Sequence, residues 1–480
     1  MPLHIYPIYG IGRSAQKADL PITKTNSMSS RRQFIRQSAL ATGGVLFASS
    51  SFANIFTAKK PFVIIIGAGF SGLAAAASLR KKNIPFIILE SRNRISGRVF
   101  SHTIDEQEKL VVELGAEWVG NSHNRVQDLC NNHGLELFNN QFDTHLIYKD
   151  RYYRNGDWSY SDKWKETFSS IIKNYPSLTP AQKKQIDQTD WWRFLADKGC
   201  EGRDLEIREL LDSTDFGESI RSVSAFAALA EYAESSEKNE MDLKIKGGNS
   251  QLAFKLAEEI GYENIRLEHR VASITQLPKG GVRVRCTNGQ EFRGDKIICT
   301  APAFAVSRIK WDPVLPQDQS QALRELQYAR INKNPLLFRE RFWKDEAFDM
   351  VTDQVPHYFY HATKNQSSVK GALISYTIGE KAAVIANQSD EWKKQMIGQT
   401  LSPHFGDVGA LLEKQFNYYW GNDEYSHGAY AIYGKGQWFR VQPILKRSHI
   451  HTHFAGEHLA DWQGFMEGAI NTGEEAAAKI

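Results

Sequence analysis

The chain has few cysteines for its length, little net charge and no visible internal repeat. Its 480 residues include four cysteines, Cys130, Cys200, Cys286 and Cys299, and their spacing shows no pairs. This argues against a disulfide framework, even in an oxidising compartment. Cys299 belongs to an apolar segment and is expected to be a small buried hydrophobic residue.

The small net charge excludes a class of partner. The formal charge is +4, but residues 1–53 hold six of the 59 basic residues and one of the 55 acidic residues. The remainder therefore has 53 basic and 54 acidic residues. Nucleic-acid-binding proteins concentrate basic residues on one face, so we expect no nucleic acid partner. An apolar content of 41% is enough for large cores and, at this length, for two or three domains.

The N-terminal residues are typical of an export signal. Residues 30–36 read Ser-Arg-Arg-Gln-Phe-Ile-Arg and precede a mildly apolar stretch at 39–48 and a Ser-Phe-Ala site at 51–53. The apolar stretch is too short for a stable membrane anchor. We predict a twin-arginine leader in residues 1–53, export by the twin-arginine machinery, and a periplasmic or secreted protein. Met28 stands just ahead of the motif and is an alternative start.

An apolar run then breaks into a glycine-rich turn. The run is Val63 to Ile66, and the turn is Gly67-Ala68-Gly69-Phe70-Ser71-Gly72, followed by an alanine-rich segment. A strand, this turn and a helix form a dinucleotide-binding fingerprint. Gly67 allows the tight turn, Gly69 lets a pyrophosphate approach the backbone, and Gly72 lets the helix pack on the strand. The start of the helix, with Phe70 and Ser71, offers unpaired N–H groups to the phosphates.

A second predicted strand, residues 84–89, ends at Glu90. The acid follows the glycine turn at about the ~20-residue offset at which a carboxylate accepts from a ribose hydroxyl. It would repel a 2′-phosphate, so the sequence predicts an adenine-containing cofactor without one. Ser91 and Arg92, which follow Glu90 directly, are also predicted to bind the cofactor.

Three further segments carry a family resemblance. They are residues 90–99, residues 112–120 and, about 380 residues after the glycine turn, residues 454–468. Together they resemble the flavin monoamine oxidase and L-amino-acid oxidase family, and the resemblance covers nearly everything from Pro61 to Ile480. It implies that FAD is the cofactor and that both chain ends enclose it.

The resemblance also implies the remaining cofactor residues. Arg98 would clamp the pyrophosphate, with Gly97 keeping the backbone close; the family's preceding glycine is Ser96 here. Val271 would contact the adenine end through its backbone, and Glu457 would bond the ribityl or phosphate region. The flavin-facing loops contain Gly115, Ala116, Glu117, Trp118, Gly464, Phe465, Met466, Glu467 and Ala469.

Catalytic residues follow from three further matches. Lys333 resembles the family lysine that holds a water against flavin N5. Tyr430 and Phe465 match the two walls of an aromatic cage that guides a neutral amine. Ala429 stands where monoamine oxidases carry a covalent flavin cysteine, so the FAD is expected to be bound non-covalently.

The implied reaction is oxidative deamination. Hydride passes to N5, the imine is hydrolysed, and dioxygen regenerates FAD with release of hydrogen peroxide. Many L-amino-acid oxidases place an arginine where this chain has Trp118, which favours an amine substrate. Tyr360 matches a substrate-binding tyrosine of the amino-acid enzymes and keeps an L-amino-acid oxidase open. A flavin-dependent desaturase, which would not need the cage or Lys333, is a further alternative, and a homodimer stays open.

The predicted fold class is α/β, with a Rossmann-like FAD-binding domain and a discontinuous substrate domain of mixed sheet and helices, as in glutathione-reductase-like two-domain proteins. The FAD-binding domain is assigned to 54–120, 242–302 and 436–480, and the substrate domain to 121–241, which is mainly helical, and 303–435. His449, His451 and His453 alternate as on a strand, but acids are scarce nearby; we expect a packed strand face and no metal.

Overall fold

The computed structural model describes residues 60–234, 242–278, 280–461 and 463–480. The predicted twin-arginine segment lies outside these residues. Within them, no helix has both the length and the apolar character needed to cross a membrane.

Strands of the described residues are β1 (Val63–Ile66), β2 (Phe86–Leu89), β3 (Ser101–Asp105), β4 (Leu110–Glu113), β5 (Leu137–Asn139), β6 (Asp143–Tyr148), β7 (Arg151–Tyr153), β8 (Leu243–Ile245), β9 (Ile265–Arg266), β10 (Val271–Gln276), β11 (Val282–Cys286), β12 (Glu291–Gly294), β13 (Lys296–Cys299), β14 (Lys310–Asp312), β15 (Gln327–Tyr328), β16 (Ile331–Phe338), β17 (Phe348–Thr352), β18 (Tyr358–His361), β19 (Gly371–Ile378), β20 (Leu412–Gln415), β21 (Tyr418–Tyr419), β22 (Ala431–Ile432) and β23 (Thr452–Phe454). The α-helices are α1 (Phe70–Lys81), α2 (Asn124–Asn132), α3 (Asp162–Asn174), α4 (Pro180–Asp187), α5 (Trp191–Asp197), α6 (Gly202–Phe216), α7 (Ala225–Glu234), α8 (Ser250–Ile260), α9 (Ala303–Arg308), α10 (Gln317–Glu325), α11 (Gly379–Ala386), α12 (Asp390–Phe405), α13 (Val408–Leu411), α14 (Val441–Leu445) and α15 (Met466–Ala478).

A five-stranded parallel sheet carries the glycine turn. Its order is β23-β13-β1-β2-β9, so strands from both ends of the chain are neighbours. All four residues of β1 are buried, because a parallel sheet has both faces covered and its central strands are apolar on both sides. Helices α8 and α15 pack against α1. The predicted strand, turn and helix at 63–81 are confirmed.

The second strand starts two residues later than predicted. Strand β2 begins at Phe86, whereas the pattern suggested 84. Pro85 has no N–H to donate to a strand ladder, and the Ile84 N–H instead donates to Leu79 O at the end of α1. The acid that follows the strand, Glu90, is where the fingerprint requires it.

A second, eight-stranded sheet lies in the middle of the sequence. Its main path is β20-β16-β19-β18-β17-β6-β7, with β21 pairing on β16. These strands come from the two segments predicted for the substrate domain, and helices α3 to α7 come from the first of them. All eight residues of β16, including Lys333, are buried. The predicted α/β architecture is confirmed, and the domain boundaries stay a prediction.

The histidines near the C-terminus do not share a strand, contrary to the alternation read from the sequence. Strand β23 covers only 452–454, so His453 alone lies on it. The His449 ring contacts Pro313 O at 3.2 Å, and the His453 ring hydrogen-bonds Ser448 Oγ at 2.8 Å. Within the described ranges, no three His, Cys, Asp or Glu side chains are grouped as metal ligands.

All four cysteines are buried and free. Cys299 is fully buried in β13, as expected for a small hydrophobic residue in a central strand.

Candidate active site

A cavity of about 370 Å³ opens at the carboxyl ends of β1 and β2. This is the edge of a parallel sheet at which doubly wound folds bind nucleotides. The predicted cofactor residues that line it are Gly67, Gly69, Phe70, Ser71, Glu90, Ser91, Arg92, Gly97, Arg98, Gly115, Ala116, Glu117, Trp118, Val271, Glu457, Gly464, Phe465, Met466 and Ala469. Lys333 and Tyr430 line it as well. The two ends of the chain thus meet at one cavity.

The glycine turn has the geometry that its sequence requires. Gly67 has φ +101°, a backbone conformation that residues other than glycine rarely adopt. A Cβ on Gly72 would lie 1.9 Å from Gly67 O, so Gly72 lets the helix approach the turn and does not itself line the cavity. A Cβ on Gly97 would lie 3.3 Å from Gly69 Cα, which brings the second loop against the first.

The polar groups beside this turn fit a dinucleotide. Ser71 Oγ is buried at the start of α1 and has no hydrogen-bond partner among the described residues, although Ser71 lines the cavity. An unused hydroxyl at a helix N-terminus suits a phosphate oxygen. The Glu90 carboxylate accepts from Ala68 N at 2.7 Å and Arg92 N at 2.9 Å. Burial raises the pKa of Glu90, and these two bonds offset only part of the rise.

Arg98 and Glu457 join the N-terminal and C-terminal halves of the site. Arg98 Nη1 lies 2.5 Å from Glu457 Oε1, and Glu457 Oε2 accepts from Gly464 N at 2.9 Å. Both side chains line the cavity. Because both carboxylate oxygens accept from protein groups, Glu457 holds Arg98 and the C-terminal loop in place. Its direct contact with the cofactor stays a prediction.

Lys333 lies beneath the flavin-facing loop. Its Nζ donates to Gly115 O at 2.8 Å and Glu113 O at 3.0 Å, and lies 3.2 Å from Glu117 Oε2. Burial lowers the pKa of Lys333, and the negative charges of Glu117 and Glu113 offset only part of that. Three acceptors fix one orientation of the ammonium group.

A buried ion-pair network surrounds Glu117. Lys244 Nζ lies 2.6 Å from Glu117 Oε1, and the Tyr360 hydroxyl donates to Glu117 Oε2 at 2.7 Å. Burial alone would raise the pKa of Glu117, but the charges of Lys244 and Lys333 and these hydrogen bonds lower it overall. Lys244 was missed in the sequence because a lone lysine in a short strand carries no motif.

Besides Gly72, two predicted site residues do not line the cavity. Tyr360 is fully buried behind Trp118, with the two ring centroids 5.1 Å apart, and its hydroxyl is bound to Glu117. Glu467 turns away to the start of α2, where it accepts from Arg125 N at 3.1 Å and Val126 N at 2.9 Å. A carboxylate is favoured there because a helix N-terminus has unsatisfied N–H groups. The assignments of Tyr360 to substrate and Glu467 to cofactor stay predictions, and these contacts do not support them.

The aromatic residues predicted as a cage both line the cavity. The Tyr430 hydroxyl donates to Asp215 O. A Cβ on Gly464 would lie 2.8 Å from Tyr430 Cδ2, so the loop that carries Phe465 packs directly against the Tyr430 ring.

No sequence pattern pointed to four other lining residues. They are Asp215 and Phe216 at the end of α6, Glu231 in α7 and Tyr376 in β19. Their only local pattern is that of ordinary helical or strand residues, and the fold brings them together.

We expect the substitution Gly115→Ala to lower both FAD retention and stability. The new Cβ would lie 2.1 Å from Arg98 O and 2.8 Å from Phe100 N, so backbone must move, at about 1–3 kcal/mol. Gly398→Ala is the control, since its Cβ would meet nothing closer than Ser402 Oγ at 4.0 Å. FAD content and urea unfolding measure both effects; equal behaviour of the two variants would contradict the expected role of Gly115.

Comparison with known proteins agrees with this geometry. The family described as "Flavin containing amine oxidoreductase" matches residues 70–480. "Probable flavin-containing monoamine oxidase A" of Dictyostelium discoideum is 24% identical over 457 residues, 87% of this chain and 97% of that protein. "Amine oxidase [flavin-containing] B" of Homo sapiens is 24% identical over 468 residues, 88% of this chain and 86% of that protein.

Solved structures share the fold. A wild-type putrescine oxidase bound to putrescine has a TM-score of 0.77 at 23% identity, covering 88% of this chain and 98% of that one. Cyclohexylamine oxidase from Brevibacterium oxydans IH-35A has a TM-score of 0.77 at 20% identity, with the same coverages. Because the family match spans residues 70–480, the chain belongs to the flavin containing amine oxidoreductases, FAD-dependent enzymes that oxidise amines.

Proposed function

We propose that the protein catalyses the oxidative deamination of an amine, with dioxygen as electron acceptor and hydrogen peroxide as product. An amine is favoured over an amino acid because the basic groups that line the cavity already have partners. A substrate carboxylate needs a cationic partner, typically an arginine that forms a bidentate pair.

Basic groups that line the cavity are already engaged. Arg92 pairs with Asp423 at 2.7 Å, Arg98 with Glu457 at 2.5 Å, Arg270 with Glu424 at 2.7 Å and Lys333 with Glu117 at 3.2 Å. The Arg308 guanidinium lies 3.9 Å from the centroid of the Phe304 ring.

The position at which many amino-acid oxidases carry an arginine is Trp118, and its ring lines the cavity. Tyr360, which kept the L-amino-acid oxidase open, is bound to Glu117 outside the cavity. These contacts favour the amine.

The chain's residues have separate tasks in this reaction. Bound FAD supplies the two-electron oxidation of the carbon that bears the amine. Tyr430 and Phe465 form apolar walls that orient a neutral amine and exclude water. Lys333 places positive charge beside the loop that follows β4, where three protein acceptors engage its three N–H groups.

We also infer that FAD is bound without a covalent link. Ala429 lines the cavity at the position of the cysteine in monoamine oxidases, and Cys130, Cys200, Cys286 and Cys299 do not line it. Release of free flavin on denaturation tests this inference. Export by the twin-arginine route remains a proposal that rests on residues 30–36, and cell fractionation of an Arg31→Lys, Arg32→Lys variant tests it.

An anaerobic titration distinguishes the candidate substrates. Primary amines and polyamines are expected to bleach the visible flavin absorption, and L-amino acids are expected to leave it unchanged. Bleaching by amino acids alone would establish the amino-acid oxidase, and absence of bleaching by either class would leave a desaturase of an apolar substrate as the better explanation.

A further inference from the structure

We propose that Asp215 and Glu231 form a second subsite that binds a distal ammonium group, so that the substrate is a diamine or polyamine. The inference rests on the proposed function and names the class of amine that the site takes.

Both acids stand beside the aromatic cage. Asp215 and Glu231 line the same cavity as Tyr430, one at the end of α6 and the other in α7. The Tyr430 hydroxyl donates to the backbone oxygen of Asp215. The Asp215 carboxylate accepts from the Tyr232 hydroxyl at 2.7 Å, which fixes its orientation.

An unsatisfied hydroxyl points to a ligand at the same place. Tyr376 is fully buried and lines the cavity, and its hydroxyl makes no hydrogen bond of regular geometry with a described residue, although the Tyr430 hydroxyl is a weak hydrogen-bonding neighbour. Buried polar groups are nearly always satisfied by protein, water or ligand. Burial raises the pKa of Tyr430, and the neighbouring Tyr376, Glu231 and Asp215 raise it further, so these groups lie within electrostatic reach of one another.

The chemistry of this end of the cavity suits a cation. Burial raises the pKa of Glu231 to about 7, and an ammonium partner would return it to the charged form. Phe216 and Tyr430 add aromatic surface, which attracts cations. The apolar tail of a monoamine would instead lie against the carboxylates of Asp215 and Glu231.

The subsite is separate from the place where the reacting amine lies. The reacting amine must be neutral, and the faces of Tyr430 and Phe465 provide for it. The hydroxyl end of Tyr430 contacts the backbone oxygen of Asp215, so Asp215 lies roughly the length of one tyrosine side chain from the Tyr430 backbone, and Glu231 lines the same cavity. Several methylene groups between the two nitrogens of a substrate would span that separation.

The test compares amines of matched length on the holoenzyme. The kcat/KM for peroxide formation is measured with tetramethylene diamine against butylamine, and with pentamethylene diamine against pentylamine. We expect the better diamine to exceed its monoamine by about 100-fold, as for a site built to bind a charged group that the analogue lacks. In Glu231→Gln, this ratio is expected to fall at least about tenfold, mainly through KM.

Glu258→Gln, on the surface of α8 and paired with Lys255, is the matched control and is expected to keep the wild-type ratio. Equal kcat/KM for diamines and monoamines in the wild type would overturn the subsite and leave the amine oxidase intact. An unchanged ratio in Glu231→Gln would also overturn the assignment. If no amine of either kind reduced the flavin, the proposed function itself would fail, and the subsite with it. The comparison of diamines with monoamines on the wild-type enzyme tests the subsite even if Glu231→Gln does not fold.

Discussion

Replacing Lys333 by methionine is expected to lower the rate of peroxide formation by about 100-fold or more, the effect of losing one preorganised charged donor in a buried site. The ammonium group of Lys333 lies 2.8 Å from Gly115 O and within 3.2 Å of Glu117. Methionine has a similar length but donates nothing, so the three hydrogen bonds and the positive charge in the site would be lost together.

The measurement separates the two halves of the reaction. Anaerobic mixing with an amine follows reduction of the flavin, and mixing of the reduced protein with dioxygen follows its reoxidation. FAD content is expected to stay near that of the wild type. Lys414→Met is the control, because this lysine donates to Ile104 O and does not line the cavity. A Lys333→Met enzyme that formed peroxide from an amine at the wild-type rate would remove Lys333 from the mechanism.

Replacing Lys244 by methionine is expected to give the largest loss of stability, about 3–5 kcal/mol, the cost of removing one partner of a buried ion pair. Lys244 and Glu117 are 4% and 1% exposed in their side chains and lie 2.6 Å apart. Without Lys244, the Glu117 carboxylate keeps Lys333 as its nearest cation, and its desolvation is offset only in part. Urea unfolding of the FAD-free and FAD-bound protein measures the change.

A second variant separates lost charge balance from lost packing. Adding Glu117→Gln to Lys244→Met removes the uncompensated carboxylate, and we expect it to recover a large part of the stability. Lys246→Met is the matched control two residues away, because its ion pair with Glu136 is about 65% exposed and such pairs contribute about 0–1 kcal/mol. Equal losses for Lys244→Met and Lys246→Met would contradict the role of the buried network.

The glycine turn shows why part of this site could be predicted from the sequence. The strand at 63–66, the turn and the helix at 70–81 depend on neighbours in the chain, and glycine is required where a Cβ would strike backbone, as at Gly72. Glu90 could be predicted for the same reason, because it comes directly after the strand that follows this helix. The loop at 464–469 could be placed only through the family resemblance, because it lines one cavity with a glycine turn about 400 residues earlier in the sequence.

Other parts of the site depend on contacts that no local pattern records. Lys244 reaches Glu117 from 127 positions away, and Asp215 and Glu231 meet the aromatic cage only through the tertiary fold. Glu467 lies beside true lining residues in the sequence, but its position in α15 directs it to the start of α2. The motif therefore predicted a segment that lines the cavity, but it could not show that the Glu467 side chain points to α2.

The central claim is that remote N-terminal and C-terminal segments enclose one FAD, and the visible absorption spectrum of the purified protein tests it most directly. We predict a yellow protein with one flavin per chain, which denaturation releases as free FAD and which an amine bleaches in the absence of oxygen. A protein that stayed colourless after refolding with excess FAD would contradict the claim.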